Sequence, residues 1–556
     1  MASELITELQ ELVDHLEGLR KPCEPRWRAL SEWVLPTRGI YEGQDGTIEA
    51  KSRGKKVLNR EGTRSLKVAA TGLTSGMTPA SLPWFKWSFS NEAQNESTGA
   101  QAWLDVVERE IGNVLRTCGF YKAIHACNLE FLTFGPLLLF QDNSATKLCR
   151  FESCTVGTWA VGLNADRELD TVCRRIKMTP HQLEQRFGRD KLSTAVCTAL
   201  DERRGYDQVE IIHVVMPRHH RQAGKIDAKN MPFASYMYEA VGAEDVLSES
   251  GYVEMPYFFA ANEETLDTYG SGTGDDALPD IKQLQELEKQ KLIGLQKSIN
   301  PPIRKPVSFK HRLNIGPGGE NAVSQSESQG IGPLYEVRID LNSVREEINT
   351  IAGRIGQTTL AAYFADMSLE LRPKGMTASE YLERKRERLQ FMGPSLEAYE
   401  ESVLTPVIFR TFAMLDRANL LPPPPAQMGE VAIVDVSYIS PLAQALRQTG
   451  AESARALMQD VMQLAQVDRN VLDKVDVDQA VDELARGIGA PGRMVRSDEE
   501  VVALRQARAE EQAKQMQAQQ AMQGMQSLAQ MASMSTGPDT LAGDLMGKSG
   551  QGASNE

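Results

Sequence analysis

Tyr269-Gly270-Ser271-Gly272-Thr273-Gly274-Asp275-Asp276-Ala277-Leu278-Pro279-Asp280-Ile281 reads as the end of one folded region and the start of a long helix. The glycines mark a tight passage. Asp275 and Asp276 can cap the orphan N–H groups of a first turn that also accommodates Pro279. Apolar residues follow at Ile281, Leu284, Leu287, Leu292, Leu295 and Ile299, with charges mostly between them. Asn300-Pro301-Pro302 stops the helix, because proline lacks a donor and forces its predecessor out of helical space.

A second helix opens at Ser343-Val344-Arg345-Glu346, a capping box. Its apolar residues, Val344, Ile348, Ile351 and Ile355, step by 4, 3 and 4 along one face. Each helix is expected to run about 20 residues, or roughly 30 Å. Taken locally, the pair is an ordinary αα-hairpin interrupted by a Pro/Gly-rich excursion.

The remainder of the chain places this pair in an α+β, mainly helical protein. Leu5, Leu9, Leu12, Val13, Leu16 and Leu19 line one side of a helix over 4–20, which Trp27, Leu30, Trp33 and Val34 extend towards Pro36. A polar stretch, 39–56, reads as a surface loop. Two helices are expected over 100–134. Short β-rich runs follow at Leu137–Phe140, Thr155–Val161, Asp170–Lys177, Val209–Met216, Phe233–Ala240 and Tyr252–Ala260, with a short helix at Pro180–Phe187. They predict an antiparallel sheet. A long charge-laced helix over 377–418, kinked by Gly393-Pro394 and Pro406, leads to a proline linker and a strand at Val431–Ile439. Helices are expected over 442–467 and 477–487. A Gln/Ala/Met-rich helix over 497–532 precedes a Gly/Ser/Asp-rich tail with a disordered composition.

Composition narrows the function. A 556-residue chain with 41% hydrophobic and 24% charged residues is long enough for a large core. Its net charge of −14 argues against a simple basic clamp on nucleic acid. The N-terminal residues carry no secretory pattern, and the apolar run 131–140 is too short to span a bilayer, so a cytoplasmic site of synthesis is expected. Seven cysteines without a Cys-x-x-Cys motif read as reduced structural thiols, and seven histidines show no metal-ligand spacing. Gly543-Asp544-Leu545-Met546-Gly547-Lys548-Ser549 is one residue short of a phosphate loop and lacks a preceding strand. Neither a Gly-x-Ser-x-Gly elbow nor a His-Glu-x-x-His helix is present. No cofactor or metal site is expected, and spacing singles out no cluster among the many carboxylates, which leaves a nuclease site open.

Several separated strings are similar to one family. They are Tyr269–Gly272 with Ala277–Leu287 and Pro301-Pro302-Ile303, Ala69–Pro79 with Leu82–Trp87, and Tyr438–Ala445. The chain resembles portal proteins, the head-to-tail connectors of short-tailed double-stranded-DNA bacteriophages. The resemblance implies a wing over 1–268, a first stem helix over 269–300, a clip over 301–341 and a second stem helix over 342–364. It further implies a channel loop over 365–376, a long helix returning to the wing over 377–438, a crown over 439–496, a C-terminal barrel helix over 497–534 and a tail over 535–556. Copies would close into a ring, twelve-fold in the family, at one capsid vertex of the virion. Implied partners are DNA passing through the channel, the terminase large subunit, a tail adaptor, and the major capsid and scaffolding proteins. Arg372 and Lys374 would lie nearest the DNA, and Arg304, Lys305, Lys310 and Arg312 would serve clip contacts. A head or tail adaptor without a DNA channel, or a nucleic-acid enzyme, are the alternatives.

Overall fold

The structure is a computed structural model. It describes residues 2–39, 57–89, 98–262 (apart from 145, 223, 226 and 244), 268–335, 340–364, 396–424 and 434–440, then 501–516 apart from 503, with a few isolated positions besides. The chain divides into two compact units, Met1–Thr449 and Gly450–Glu556. In the second unit residues 504–516 are helical and exposed. The first unit mixes helix and strand.

Its N-terminal part begins with α1 (Ala2–Arg20) and α2 (Glu24–Trp33), joined by one 3-10 turn at Lys21–Cys23. The α1 stripe Leu9, Val13 and Leu16 is buried against Ala160, Cys173, Ile212, Val214 and Tyr238, whereas Leu19 is exposed. The buried partners belong to a five-stranded antiparallel meander. Its strands are β4 (Trp159–Leu163), β5 (Leu169–Met178), β6 (Val209–Pro217), β7 (Phe233–Glu239) and β8 (Ser248–Tyr252). Strand alternation gives the sheet two faces. Ile212 and Val214 meet α1. Ile211 meets Leu183 of α6 (Pro180–Phe187) and Val196 of α7 (Thr194–Asp201). His213, between them, is fully buried and bonded to Tyr257 Oη and Ser235 Oγ, each at 2.9 Å. Burial lowers its pKa to about 3, so the ring is neutral.

The main core lies beside this sheet. It is built on α3 (Glu61–Met77), α4 (Thr98–Thr117) and α5 (Phe120–Phe134), and on a three-stranded antiparallel sheet ordered β3 (Cys149–Cys154), β2 (Pro136–Asn143), β9 (Tyr257–Ala261). Because α5 is enclosed on nearly every side, its polar residues need internal partners. Glu130 accepts from Val156 N–H at 2.9 Å and from Arg38 at 3.2 Å. Asn128 accepts from Tyr399 Oη at 2.7 Å and donates to Thr74.

Two expected strands are corrected. Thr155–Val161 straddles a turn between β3 and β4, and Tyr252–Ala260 contains the break between β8 and β9. The β3 and α7 segments are additional elements.

The chain returns to this core late. Residues 396–399 are helical, a π turn spans Glu400–Leu404, and α11 runs Thr405–Arg417. The wide turn sits immediately before Pro406, which has no N–H to give an α-type bond. Then β12 (Val434–Tyr438) pairs antiparallel with β1 (Phe85–Phe89), Phe85 opposite Tyr438 and Phe89 opposite Val434. Trp84 is stacked between Phe120 and Tyr438, at 6.0 and 6.3 Å. The expected helix over 377–395 and most of the region after 440 lie outside the described residues.

Candidate functional site at the base of the paired helices

Two long helices leave this core. The first, α8, runs Thr273–Ile299, 27 residues, longer than its apolar pattern suggested. Its approach is fixed by Tyr269, whose ring is packed edge-on to Trp27 at 5.4 Å and tilted against Trp159 at 5.9 Å. The Tyr269 hydroxyl accepts from Val161 N–H at 3.3 Å. The glycines that follow let two backbones cross in contact. A Cβ on Gly272 would stand 2.7 Å from Gly135 N, and one on Gly274 would stand 2.5 Å from Thr133 O. No side chain fits there.

Asp275 reaches back to Gly272 N–H at 3.4 Å and pairs with Arg26 at 3.2 Å, while Arg26 also donates to Gly270 O. Burial outweighs these favourable contacts and raises the Asp275 pKa to about 6. Pro279 is the seventh residue of α8 and so falls beyond the first turn expected for it.

The second long helix, α10, runs Leu341–Thr358. Its cap is Asp340, which accepts from Asn342 and Ser343 N–H at 3.0 and 3.4 Å, in place of the expected Ser343. The helix breaks at Leu360, which has φ 61°, and 361–364 form a further helical turn.

Helix α3 is the saddle on which both long helices sit. Gly62 faces Ile281 of α8, and Gly72 lies under Phe364, just beyond α10. At each, a Cβ would collide with the facing side chain, so glycine is what permits the close approach. Gln285 completes the α8 side. Its Oε1 accepts from Leu58 and Asn59 N–H at 2.7 and 2.8 Å, and its Nε2 donates to Asn59 O at 2.6 Å. Sequence reading missed this residue, although its place four residues after Ile281 put it on the apolar stripe.

The apolar stripes divide along their length. Ile281, Leu284, Ile348, Ile351 and Ile355 are buried. Leu287 and Val344 are partly buried against the core, and Leu295 is partly buried. Leu292 is 52% exposed and Ile299 82% exposed. Arg354 reaches from α10 to Asp280 of α8 at 3.4 Å. The two helices together carry six lysines and arginines against seven carboxylates, a near-neutral wall.

Between the helices, Ile303–Arg304 (β10) pairs with Gly332–Pro333 (β11), and a short helix, α9, covers Gln325–Ser328. Arg304, Lys305, Lys310 and Arg312 are all exposed. Lys305 folds back, with Nζ 3.0 Å from His311 O and 5.8 Å from the Phe309 ring centre. Arg372 and Lys374 lie outside the described residues.

Two clefts flank this assembly. A polar one of about 820 Å³ carries Arg20, Arg174 and Arg175, which are matched internally by Glu24, Glu152, Glu17 and Glu210. A second, of about 590 Å³, runs along α3. Among the described residues no group of three or more His, Cys, Asp or Glu side chains could hold a metal ion, and no helix is long and apolar enough to cross a membrane. All seven cysteines are free thiols, and burial pushes Cys149, Cys154 and Cys173 up to about 12.

The sequence pattern of the family described as bacteriophage head to tail connecting protein matches residues 6–495. The chain belongs to this family. The connector is 31% identical over 521 residues to the probable portal protein of Bordetella phage BPP-1, covering 91% of this chain and 92% of that one. It is 30% identical over 518 residues to the portal protein of Salmonella phage epsilon15, with the same coverage. The family is structural. The base of the paired helices is made of packing, close backbone crossings and internal hydrogen bonds.

Proposed function

We propose that this connector is a portal protein. It forms a closed ring, twelve-fold as in the family, at one capsid vertex. It seeds head assembly, docks the terminase large subunit during packaging, passes double-stranded DNA in both directions and then holds the tail adaptor. Similarity to two portal proteins through nine-tenths of the chain carries this reading. The near-neutral wall of α8 and α10 supports it physically, since a moving duplex must not bind tightly to its conduit.

In this reading residues 1–268 are the wing, 269–300 and 342–364 the stem, 301–341 the clip, 365–376 the channel loop and 377–438 the long helix back to the wing. Residues 439–496 are the crown, 497–534 the barrel helix and 535–556 the tail. Arg372 and Lys374 make passing phosphate contacts, and Arg304, Lys305, Lys310 and Arg312 serve the clip. Contacts with major capsid and scaffolding proteins fall on the outer surface of the ring. No cofactor is called for.

Negative-stain imaging of the purified protein, with top views sorted by symmetry, tests the reading. Rings with a central hole wide enough for a duplex are expected. A protein that stays monomeric even with its scaffold present would instead be an adaptor without a channel.

A further inference from the structure

Among the described residues no carboxylate lines the cleft along α3, unlike the polar cleft. Arg60, Arg64, Lys67, Thr71 and Ser75 are all exposed and step by 4, 3, 4 and 4 residues, so they form one stripe on one face of the helix. The first three are cations. Arg64 is paired with the half-buried Glu61 at 3.6 Å, while Arg60 and Lys67 form no ion pair among the described residues. In a chain of net charge −14, three cations and no acid among the described lining residues, with Glu61 beside Arg64, make a local inversion of sign.

We infer that this stripe is a contact for the sugar-phosphate backbone of duplex DNA. The inference rests on the portal reading and adds to it a DNA-contacting element on the wing side of the helix pair. Three observations carry it. The first is charge: Arg60 and Lys67, which form no ion pair among the described residues, attract a polyanion, and Arg64 is held beside them with Glu61 as its partner. The second is spacing. Residues 60 to 67 span about 10 Å of helix axis, over which one DNA strand presents about three phosphates.

The third is position. Phe364, packed on Gly72 at the groove wall, belongs to the helical turn just beyond α10, so the stripe stands beside the end of the second long helix. An acidic peptide fits less well, because among the described residues Val68 and Phe364 are the only large apolar side chains lining the groove. Contacts of this kind carry no sequence information; they track a backbone.

The test measures binding of a short fluorescent duplex to the assembled protein by anisotropy, across about 50 to 200 mM salt. The variant carries Arg60→Gln, Arg64→Gln and Lys67→Gln, all at exposed positions. With these three cations neutralised, the slope of log affinity against log salt is expected to become less negative by about 2 to 3, with affinity down at least about tenfold at the low-salt end. A charge-keeping variant, Arg60→Lys, Arg64→Lys and Lys67→Arg, should retain the wild-type slope, which separates removal of charge from a disturbed helix.

Rings that form normally and bind duplex with an unchanged slope in the glutamine variant would overturn the inference and leave the portal reading standing. Absence of both rings and duplex binding in the wild type would overturn both. If polyglutamate binding disappears in the glutamine variant while duplex binding is untouched, the stripe is a protein-docking surface and the inference fails.

Discussion

The two halves of the long helix pair carry the same apolar period but meet different surroundings. At the base, Ile281, Leu284, Ile351 and Ile355 are enclosed by α3 and the main core. Farther out, Leu292 and Ile299 face solvent in the isolated subunit. A stripe on a helix states that one side is to be covered; it does not state by what. The inner half is covered by its own chain. In the proposed ring, the outer half is covered by neighbouring copies.

The sharpest way to break this comparison is to truncate matched residues. Ile355→Ala should lower the stability of the subunit by about 3 kcal/mol, read from chemical denaturation, because a fully enclosed side chain leaves a cavity. If it costs no more than an exposed site, the inner half is not the anchor. Next in size is Gln285→Ala, expected to cost about 1–3 kcal/mol, since it strands the N–H groups of Leu58 and Asn59 that the glutamine now satisfies.

A smaller effect comes from Asp275. Its folded pKa, about 6, lies above the ordinary aspartate value, so between about pH 4 and 6 the folded state holds more protons than the unfolded state. Its contribution to stability is therefore present at the acid end and lost as pH rises through 6. Wild type should lose on the order of 1–2 kcal/mol relative to Asp275→Asn across that window, and parallel pH profiles would show that the carboxyl is not shielded from water. The smallest effect on the isolated subunit belongs to Leu292→Ala, within about 0.5 kcal/mol of wild type. The same change should lower ring yield. Unaltered yield would mean that the outer half has no neighbour to meet.

Much of the architecture was legible because the dominant signals are periodic. The 4, 3, 4 steps from Val344 to Ile355 located the second helix, and the runs at Asp170–Lys177 and Val209–Met216 located the centre of the sheet. Boundaries were less legible where two residues could perform one task. Asp340 and Ser343 are both able caps, and the structure uses Asp340. Cys149–Cys154 escaped notice because Cys-Arg-Phe-Glu-Ser-Cys has no β-branched residue, and its partners on β2 supply the apolar face.

At the base of the long helices, sequence marked the glycine passage but not what it passes. The need for glycine at 272 and 274 comes from Thr133 and Gly135, well over a hundred residues away. The α3 stripe was visible in spacing alone, yet only the cleft beside it distinguishes it from an ordinary solvated face.

The pairing of β1 with β12 has a consequence for biogenesis. Phe85 waits for Tyr438, and the Trp84 ring stays uncovered on one side until that strand arrives. At ordinary rates of synthesis the interval is roughly 20 to 70 s. The main core of a nascent chain is therefore incomplete while its long helices are already made. A chain ending at residue 433 is expected to show red-shifted, quenchable tryptophan fluorescence, and a native-like spectrum would contradict this order. In the proposed ring the late strand would act as a checkpoint: only a subunit synthesised almost to the end of its first compact unit could present a finished flank to a neighbour, so partial chains would be kept out.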